Sequence, residues 1–348
     1  MTAKTLTEEE LREAVNLVKE HDGSVTRAAA AAKFSRSTLD NRYRRALQLL
    51  PEHNKKYSDL DGEVQLPVFP DENISTEQML NHLEKQFNKR EEYQRATQWF
   101  DIKIKSDAPY GLVVVGDPHL GQHTNWPLIR RDVEIMATTP GLGIVNIGDT
   151  TNNWGGRLIA IYADEDVSKS TERQLAKWFL SEASIPWLVW LHGNHDTMHT
   201  EFSTYLKAIN VQQIPMLDWS AKFKLVFPSA TIAINAAHNH KGTSIYNPLH
   251  GQRRADLWGE GADIFVAGHH HTWALQQHEN EGGKVVTYAR ARGYKKHDEF
   301  ARRHGFNEER YGASIIFVID PTAAPPSRVQ PFADLKEGAE FLKFKRSA

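Results

Sequence analysis

Five short apolar runs between Leu112 and Gly268 each lead into residues able to bind a metal ion, and this series limits the chain more than any other feature. The runs are Leu112 to Gly116, Gly143 to Gly148, Pro186 to His192, Thr231 to Ala237 and Asp263 to Gly268. In order they meet Asp117-Pro118-His119, Asp149 with Asn152, Gly193-Asn194-His195-Asp196, His238-Asn239-His240 and His269-His270-His271. One strand with a polar end is ordinary. Five in series are not, because in an open α/β sheet the C-terminal strand ends converge on one edge, where ligands bind. Amphipathic and polar stretches separate the runs, and Lys284 to Arg290 and Ala313 to Ile319 read as further strands, so the expected class is a layered α/β fold with helices between strands.

The donors define the chemistry. The chain has no cysteine and 17 histidines, twelve of them between His192 and His304. Any metal is therefore held by nitrogen and oxygen, with imidazole suiting Zn, Fe, Ni and Mn and carboxylate suiting Mn and Mg. A carboxylate such as Asp149 can bridge two ions roughly 3.5–4 Å apart, a clamp for in-line displacement at phosphorus. His238 and His240 are two residues apart and point to opposite sides if the strand continues, so one of them ligates; His238, first after the run, is favoured and His240 is the alternative. By the same alternation His270 points away from the site.

The pattern D-x-H, G-D-x-x-N, G-N-H-D, a later His and G-H-x-H resembles the calcineurin-like metallophosphoesterase superfamily over residues 110–320. The resemblance implies a metallophosphoesterase-type β-sandwich flanked by helices and two divalent ions, Mn, Fe, Zn or Ni. It puts Asp117, His119 and His271 on one ion, Asp149 between them, and Asn194, His238 and His269 on the other. It also implies a bridging hydroxide as nucleophile and His195 at the leaving group as general acid, oriented by Asp196. Gly148, Gly193 and Gly268 are expected to let the backbone turn sharply behind the ions. The arginines that Ser/Thr protein phosphatases place beside the second and third blocks are replaced here by Asn153 and His192. The G-N-H-D form is common among the family's phosphodiesterases and nucleases. Residues 290–304 hold Arg290, Arg292, Lys295, Lys296, Arg302 and Arg303 against Asp298 and Glu299, charge suited to a phosphate backbone. Asn152, Arg290, Arg292, Lys295 and Lys296 are the expected substrate contacts; Trp154 and Trp126 either stack on bases or pack in the core.

The N-terminus has its own texture. Capping signals at Thr7, Ser24 and Ser35 predict three helices within residues 7–50. Gly23 to Ala29 followed by Phe34 to Leu39 resembles the helix-turn-helix of Fis-like and small phage regulators. That resemblance puts Arg36, Ser37, Thr38, Asn41 and Arg42 on DNA, with Arg44 and Arg45 near phosphates; six basic residues against Asp40 between Arg27 and Arg45 suit such a reader. Pairing into a homodimer is the common way for such units to gain affinity. Pro51 to Ser75 reads as a linker, and Ser75 with Gln78 opens a helix whose Met79, Leu83 and Phe87 form an apolar stripe expected to dock on a neighbouring domain, with self-association as the alternative. The expected division is thus 1–50 DNA-binding unit, 51–109 linker and helix, 110–320 catalytic domain and 321–348 peripheral tail. No apolar run is long enough to span a membrane. The opening MTAKTLTEEE lacks the apolar stretch of a secretory leader, so the expected setting is the cytoplasm, that of a host cell if the gene is carried by a phage, as the domain pair resembles. The expected activity is hydrolysis of DNA phosphodiesters. A phosphatase or cyclic-nucleotide phosphodiesterase for small substrates is the competing enzyme, and a DNA-binding regulator with an inactive metal domain is the non-enzymatic alternative.

Overall fold

The computed structural model describes residues 6–50, 75–96, 98–155, 159, 161–162, 166–259, 261–280, 282–296 and 313–347. The linker expected at 51–74, and Arg302 and Arg303 of the basic stretch, lie outside them. The chain divides into two units, Met1–Leu83 and Glu84–Ala348.

The first unit holds α1 (Glu8–Glu20), α2 (Val25–Ala31) and α3 (Arg36–Leu49). Each begins at the side chain expected to cap it: Thr7 in a full capping box with Glu10, then Ser24 and Ser35. Asp22, Gly23 and Lys33 take the left-handed conformations that end α1 and α2. Leu11, Ala14, Val15 and Val18 of α1 close on Ala28, Ala29, Leu39, Ala46 and Leu50. On α3, Arg36, Ser37, Thr38, Asn41 and Arg45 are exposed. Arg42 is not: it lies over the Phe34 ring at 5.0 Å and within 3.6 Å of Glu10, so its charge serves the bundle. Helix α4 (Thr76–Ala96) starts from the Ser75–Gln78 cap, and its stripe residues Met79, Leu83 and Phe87 are exposed rather than packed.

The second unit is a sandwich of two six-stranded sheets. One has the order β1 (Phe100–Lys103), β6 (Ser220–Val226), β7 (Thr231–Ala237), β8 (Ile264–Ala267), β10 (Val285–Arg290), β9 (Ala274–Glu279). The other runs β12 (Val329–Phe332), β11 (Ile315–Ile319), β2 (Tyr110–Val115), β3 (Leu142–Asn146), β4 (Trp187–His192), β5 (Met216–Asp218). Strands β2 to β5 are parallel, and β2, β3 and β4 read as apolar runs without alternation because both their faces are covered. In β2, Leu112 and Val114 face the other sheet with Phe223, Ile234 and Val266, while Val113 and Val115 face the helical layer. That layer contains α5 (Trp126–Thr138), α6 (Lys169–Lys177) with its π-helical end Trp178–Glu182, and α8 (Thr200–Ile209), which follows the single turn α7 (Asn194–Thr197). Helix α9 (His250–Leu257) covers the outer face of the first sheet through Leu249 and Ala255 against Phe265 and Tyr288.

Two expected boundaries move. Residues 321–347 are no peripheral tail: β12 pairs with β11, and the final helix Leu335–Ser347 buries Leu335, Ala339 and Leu342 in the core. A Cβ on Gly338 would stand 2.1 Å from Ile316, so glycine is what lets this helix lie on the sheet. The sandwich also begins before residue 110, because β1 pairs in parallel with β6.

Candidate metal centre

The carboxyl ends of β2, β3, β4, β7 and β8 meet at one edge, and the chain turns sharply there. Asp117, His119, Asp149, His269 and His271 all take positive φ, between 43° and 66°. Non-glycine residues are strained in that conformation, and such strain concentrates at sites where side-chain position matters. Three groups, Asp117–His119–His271, His119–Asp149–His195 and Asp149–His238–His269, each bring their donor atoms within 4.8 Å of one another.

Asp149 is central. Its Oδ1 accepts from the His195 N–H at 2.8 Å, and its Oδ2 lies 3.7 Å from His119 Nε2 and 3.4 Å from His238 Nε2. One oxygen is anchored and the other faces both ligand groups. The imidazole tautomers follow from their second nitrogens. His238 Nδ1 donates to the Ile147 carbonyl at 2.9 Å, leaving Nε2 as a lone pair 2.9 Å from Asn194 Oδ1 and 3.0 Å from His269 Nδ1. His119 Nδ1 donates to Asn152 Oδ1 at 3.1 Å, and its buried Nε2 has no hydrogen-bond partner. Electron pairs converging with so few protons between them are satisfied by cations. The nitrogen and oxygen donors fit two divalent ions, with the outer nitrogens fixing each ring.

The titration behaviour agrees. Burial holds His119 well below its ordinary value and His238 below it, and brings His269 to about 4 and His271 to about 3. These imidazoles are neutral at neutral pH, the form that ligates. Burial pushes Asp149 up to about 7, against the pull of His195.

The structure separates the remaining candidates. His238 reaches the donors, whereas His240 turns to Asn235 Oδ1 at 3.1 Å. His270 is exposed. Asn152 commits its carboxamide oxygen to the His119 ring and so positions a ligand. Asp196 does not orient His195. Its Oδ2 accepts from the Asp149 and Gly193 N–H groups at 2.8 and 2.9 Å and its Oδ1 from Thr150 N–H at 3.0 Å, which pins the β3 and β4 loops together. The His195 ring is held by the Asn152 carbonyl, 2.5 Å from Nδ1. Of the three glycines only Gly148, at φ 106°, turns in the expected way. Gly193 and Gly268 are needed for room: their Cβ atoms would stand 2.2 Å from Asp149 Oδ1 and 2.3 Å from Asp117 Oδ2.

The segment after β10 runs along the same edge. Tyr294 N–H donates to the Asp117 carbonyl at 3.1 Å, and Lys295 Nζ lies 4.5 Å above the Trp154 ring. Lys295 is half-buried and is one of the charges that depress His119 and His271; Arg290 is buried, Arg292 half-buried and Lys296 exposed. Trp154 is buried under Lys295 and 5.0 Å from His195, and Trp126 donates its Nε1–H to Gly121, so both pack. Two residues carry no advance signal. Asn153 fixes the turn after β4 by donating Nδ2–H to the His195 carbonyl at 2.7 Å. Trp219 stands beside His238 and His269.

The family signature of calcineurin-like phosphoesterases matches residues 92–318, which span most of the sandwich and every donor above. The chain belongs to that family. This calcineurin-like phosphoesterase is a metal-dependent hydrolase of phosphate esters. No curated protein matches it. Among solved structures it is similar to a hypothetical protein from Thermus thermophilus, at 12% identity and TM-score 0.33, covering 64% of this chain and 98% of the other. It is also similar to GAP50, the anchor in the inner membrane complex of Plasmodium, at 8% identity and TM-score 0.34 over 68% and 95% of the two chains. A protein of unknown function from Aquifex aeolicus matches at 14% identity and TM-score 0.27 over 51% and 95%. No helix among the described residues is long and apolar enough to cross a membrane.

Proposed function

We propose that this phosphoesterase cleaves phosphodiester bonds in DNA. Asp117, His119 and His271 would hold one divalent ion and Asn194, His238 and His269 the other, with Asp149 as the carboxylate shared between them. When bound, the ions supply charge neutralisation at the phosphoryl oxygens and an activated water. His195, with Nδ1 committed to the Asn152 carbonyl, gives its other nitrogen to the departing oxygen as general acid in its protonated form.

The observation that carries the polyanionic substrate is the cationic segment after β10. Arg292, Lys295 and Lys296 follow one another along the ligand edge, a line of positive charge suited to a phosphate backbone. The exposed face of α3 supports the same reading. Ser37, Asn41 and Arg45 lie within about 80° of one another on an exposed side of α3, and Arg36 stands in its exposed N-terminal turn; a helix that enters a major groove presents such a side and turn, and two such units in a homodimer read two half-sites.

The test compares labelled single- and double-stranded DNA with bis-p-nitrophenyl phosphate and p-nitrophenyl phosphate, each with Mn, Ni, Zn and Mg. DNA and the diester should turn over faster than the monoester. Changing Lys295 and Lys296 together to Ala should impair DNA cleavage more than diester hydrolysis. Changing Arg36 and Arg45 to Ala should lower duplex affinity and flatten its salt dependence by about 0.9 in log–log slope for each phosphate no longer neutralised. Preference for the monoester, or equal loss on both substrates in the double-lysine variant, refutes the reading.

A further inference from the structure

Trp219 is the single residue between β5 and β6, where the chain leaves one sheet and enters the other. Its φ of 69° is left-handed, a conformation in which a bulky side chain is an outlier and glycine or asparagine would sit with less strain. The turn uses only backbone groups. Trp219 N–H donates to the His192 carbonyl at 3.0 Å, and the Trp219 carbonyl accepts from His238 N–H at 2.7 Å. Neither bond calls for an indole. The core does not call for one either, since the residue is 43% exposed. The ring makes a T-shaped contact with His238, centroids 5.2 Å apart, and stands 6.5 Å from His269. A rigid aromatic face is therefore held at the lip of the site, at a position where the backbone alone would favour another residue.

Its side of the site is informative. His195, the leaving-group side, packs against His119 at 4.8 Å and Trp154 at 5.0 Å. Trp219 packs against the other ligand group, and Asp149 Oδ2 stands between the two. An ester arm directed at Trp219 is thus the one that stays on phosphorus while the other departs past His195. We propose that Trp219 is the stacking platform for the nucleobase on the retained ester arm, and so sets a preference for nucleoside over alkyl phosphodiesters. The proposal rests on the phosphodiesterase reading. Every base has a π-face, so such a platform adds affinity without demanding sequence.

Two substrates with the same leaving group isolate the effect: the p-nitrophenyl phosphodiester of thymidine, esterified at its 5′ oxygen, and methyl p-nitrophenyl phosphate, both with the Mn-loaded full-length protein. The wild type should prefer the thymidine ester. Trp219→Ala should lower kcat/KM on that ester by about 5- to 150-fold and leave the methyl ester unchanged, while Trp219→Phe retains most of the preference. Thymidine 5′-monophosphate should quench tryptophan fluorescence in the wild type by an amount that Trp219→Phe lacks. Equal losses on both esters, or loss of bound metal in Trp219→Ala, would make the indole a mere wall for His238 and overturn the proposal, as would identical quenching in both proteins. If the wild type hydrolyses neither ester but the differential quenching persists, the phosphodiesterase reading fails and the platform stands.

Discussion

Asp196→Asn separates two roles that a G-N-H-D motif leaves confounded. The Asp196 carboxylate is fully buried and accepts three backbone N–H groups, two on Oδ2 and one on Oδ1. An asparagine of the same shape keeps one oxygen, which can still serve Asp149 and Gly193. Those two bonds change from charge-assisted to neutral, a loss of about 1 kcal/mol each. The new NH2 group then faces Thr150 N–H, donor against donor, and leaves that buried amide unsatisfied at about 1–3 kcal/mol. The sum is about 3–5 kcal/mol, which at about 2–4 °C per kcal/mol for a domain of this size lowers Tm by roughly 6–20 °C. The β3 loop carries Asp149, so metal retention should weaken with it. The His195 ring, held by the Asn152 carbonyl, should keep its place, and the pH profile of residual turnover should keep its shape. His195→Ala is the contrast: metals and Tm retained, turnover slowed by about 10²- to 10⁴-fold. Thermal melts, metal analysis and pH–rate profiles on the three proteins decide the matter. If Asp196→Asn keeps wild-type Tm and metal content yet loses turnover as His195→Ala does, Asp196 acts through His195 and its assignment to the two loops is wrong.

Asp149→Asn should abolish metal-dependent hydrolysis of bis-p-nitrophenyl phosphate and reduce bound metal, because a neutral amide is a poor bridge between two cations; near wild-type rates would refute the shared-carboxylate site. The metal-free protein should lose stability as pH falls from about 6.5 towards 4. His119, His238, His240, His269 and His271 all titrate below their unfolded value, so in that window the unfolded chain binds protons that the folded one refuses. Asp149, raised to about 7, and Asp132, also raised by burial, work in the opposite sense, while His192 and His270, lowered by burial, add to the five imidazoles. A chelator-treated sample whose Tm is equal or higher near pH 5 than near pH 7 would contradict this balance.

What the sequence discloses of this fold follows burial. The strands legible as apolar runs, β2, β3, β4, β7, β8, β10 and β11, all have a hydrogen-bonded neighbour on each side. The four sheet edges, β1, β9, β12 and β5, leave no such run, and neither does β6 next to β1. An edge strand is half solvated and short, so β9 is Ala-Leu-Gln-Gln-His-Glu and β12 carries Pro331, neither of which differs from loop in composition. Strand β6 is different: Ala221, Phe223 and Leu225 alternate with Lys222 and Lys224, a period-two signal that a search for continuous runs passes over. The metal donors are legible because five separate segments have to supply chemically restricted residues at the same point in a strand–loop unit. Their supports are not. Asn152 and Asp196 have the residue types of a substrate contact and a histidine orienter, and only the fold reveals that one holds a ligand ring and the other three amides. Trp219 lies further still from sequence, since its place depends on a one-residue passage between sheets and a φ that no composition encodes. The residues hardest to foresee are therefore those whose role is set by which loops the topology brings together, and substitutions at Asp196 and Trp219 probe that layer of the design more directly than further changes to the ligands.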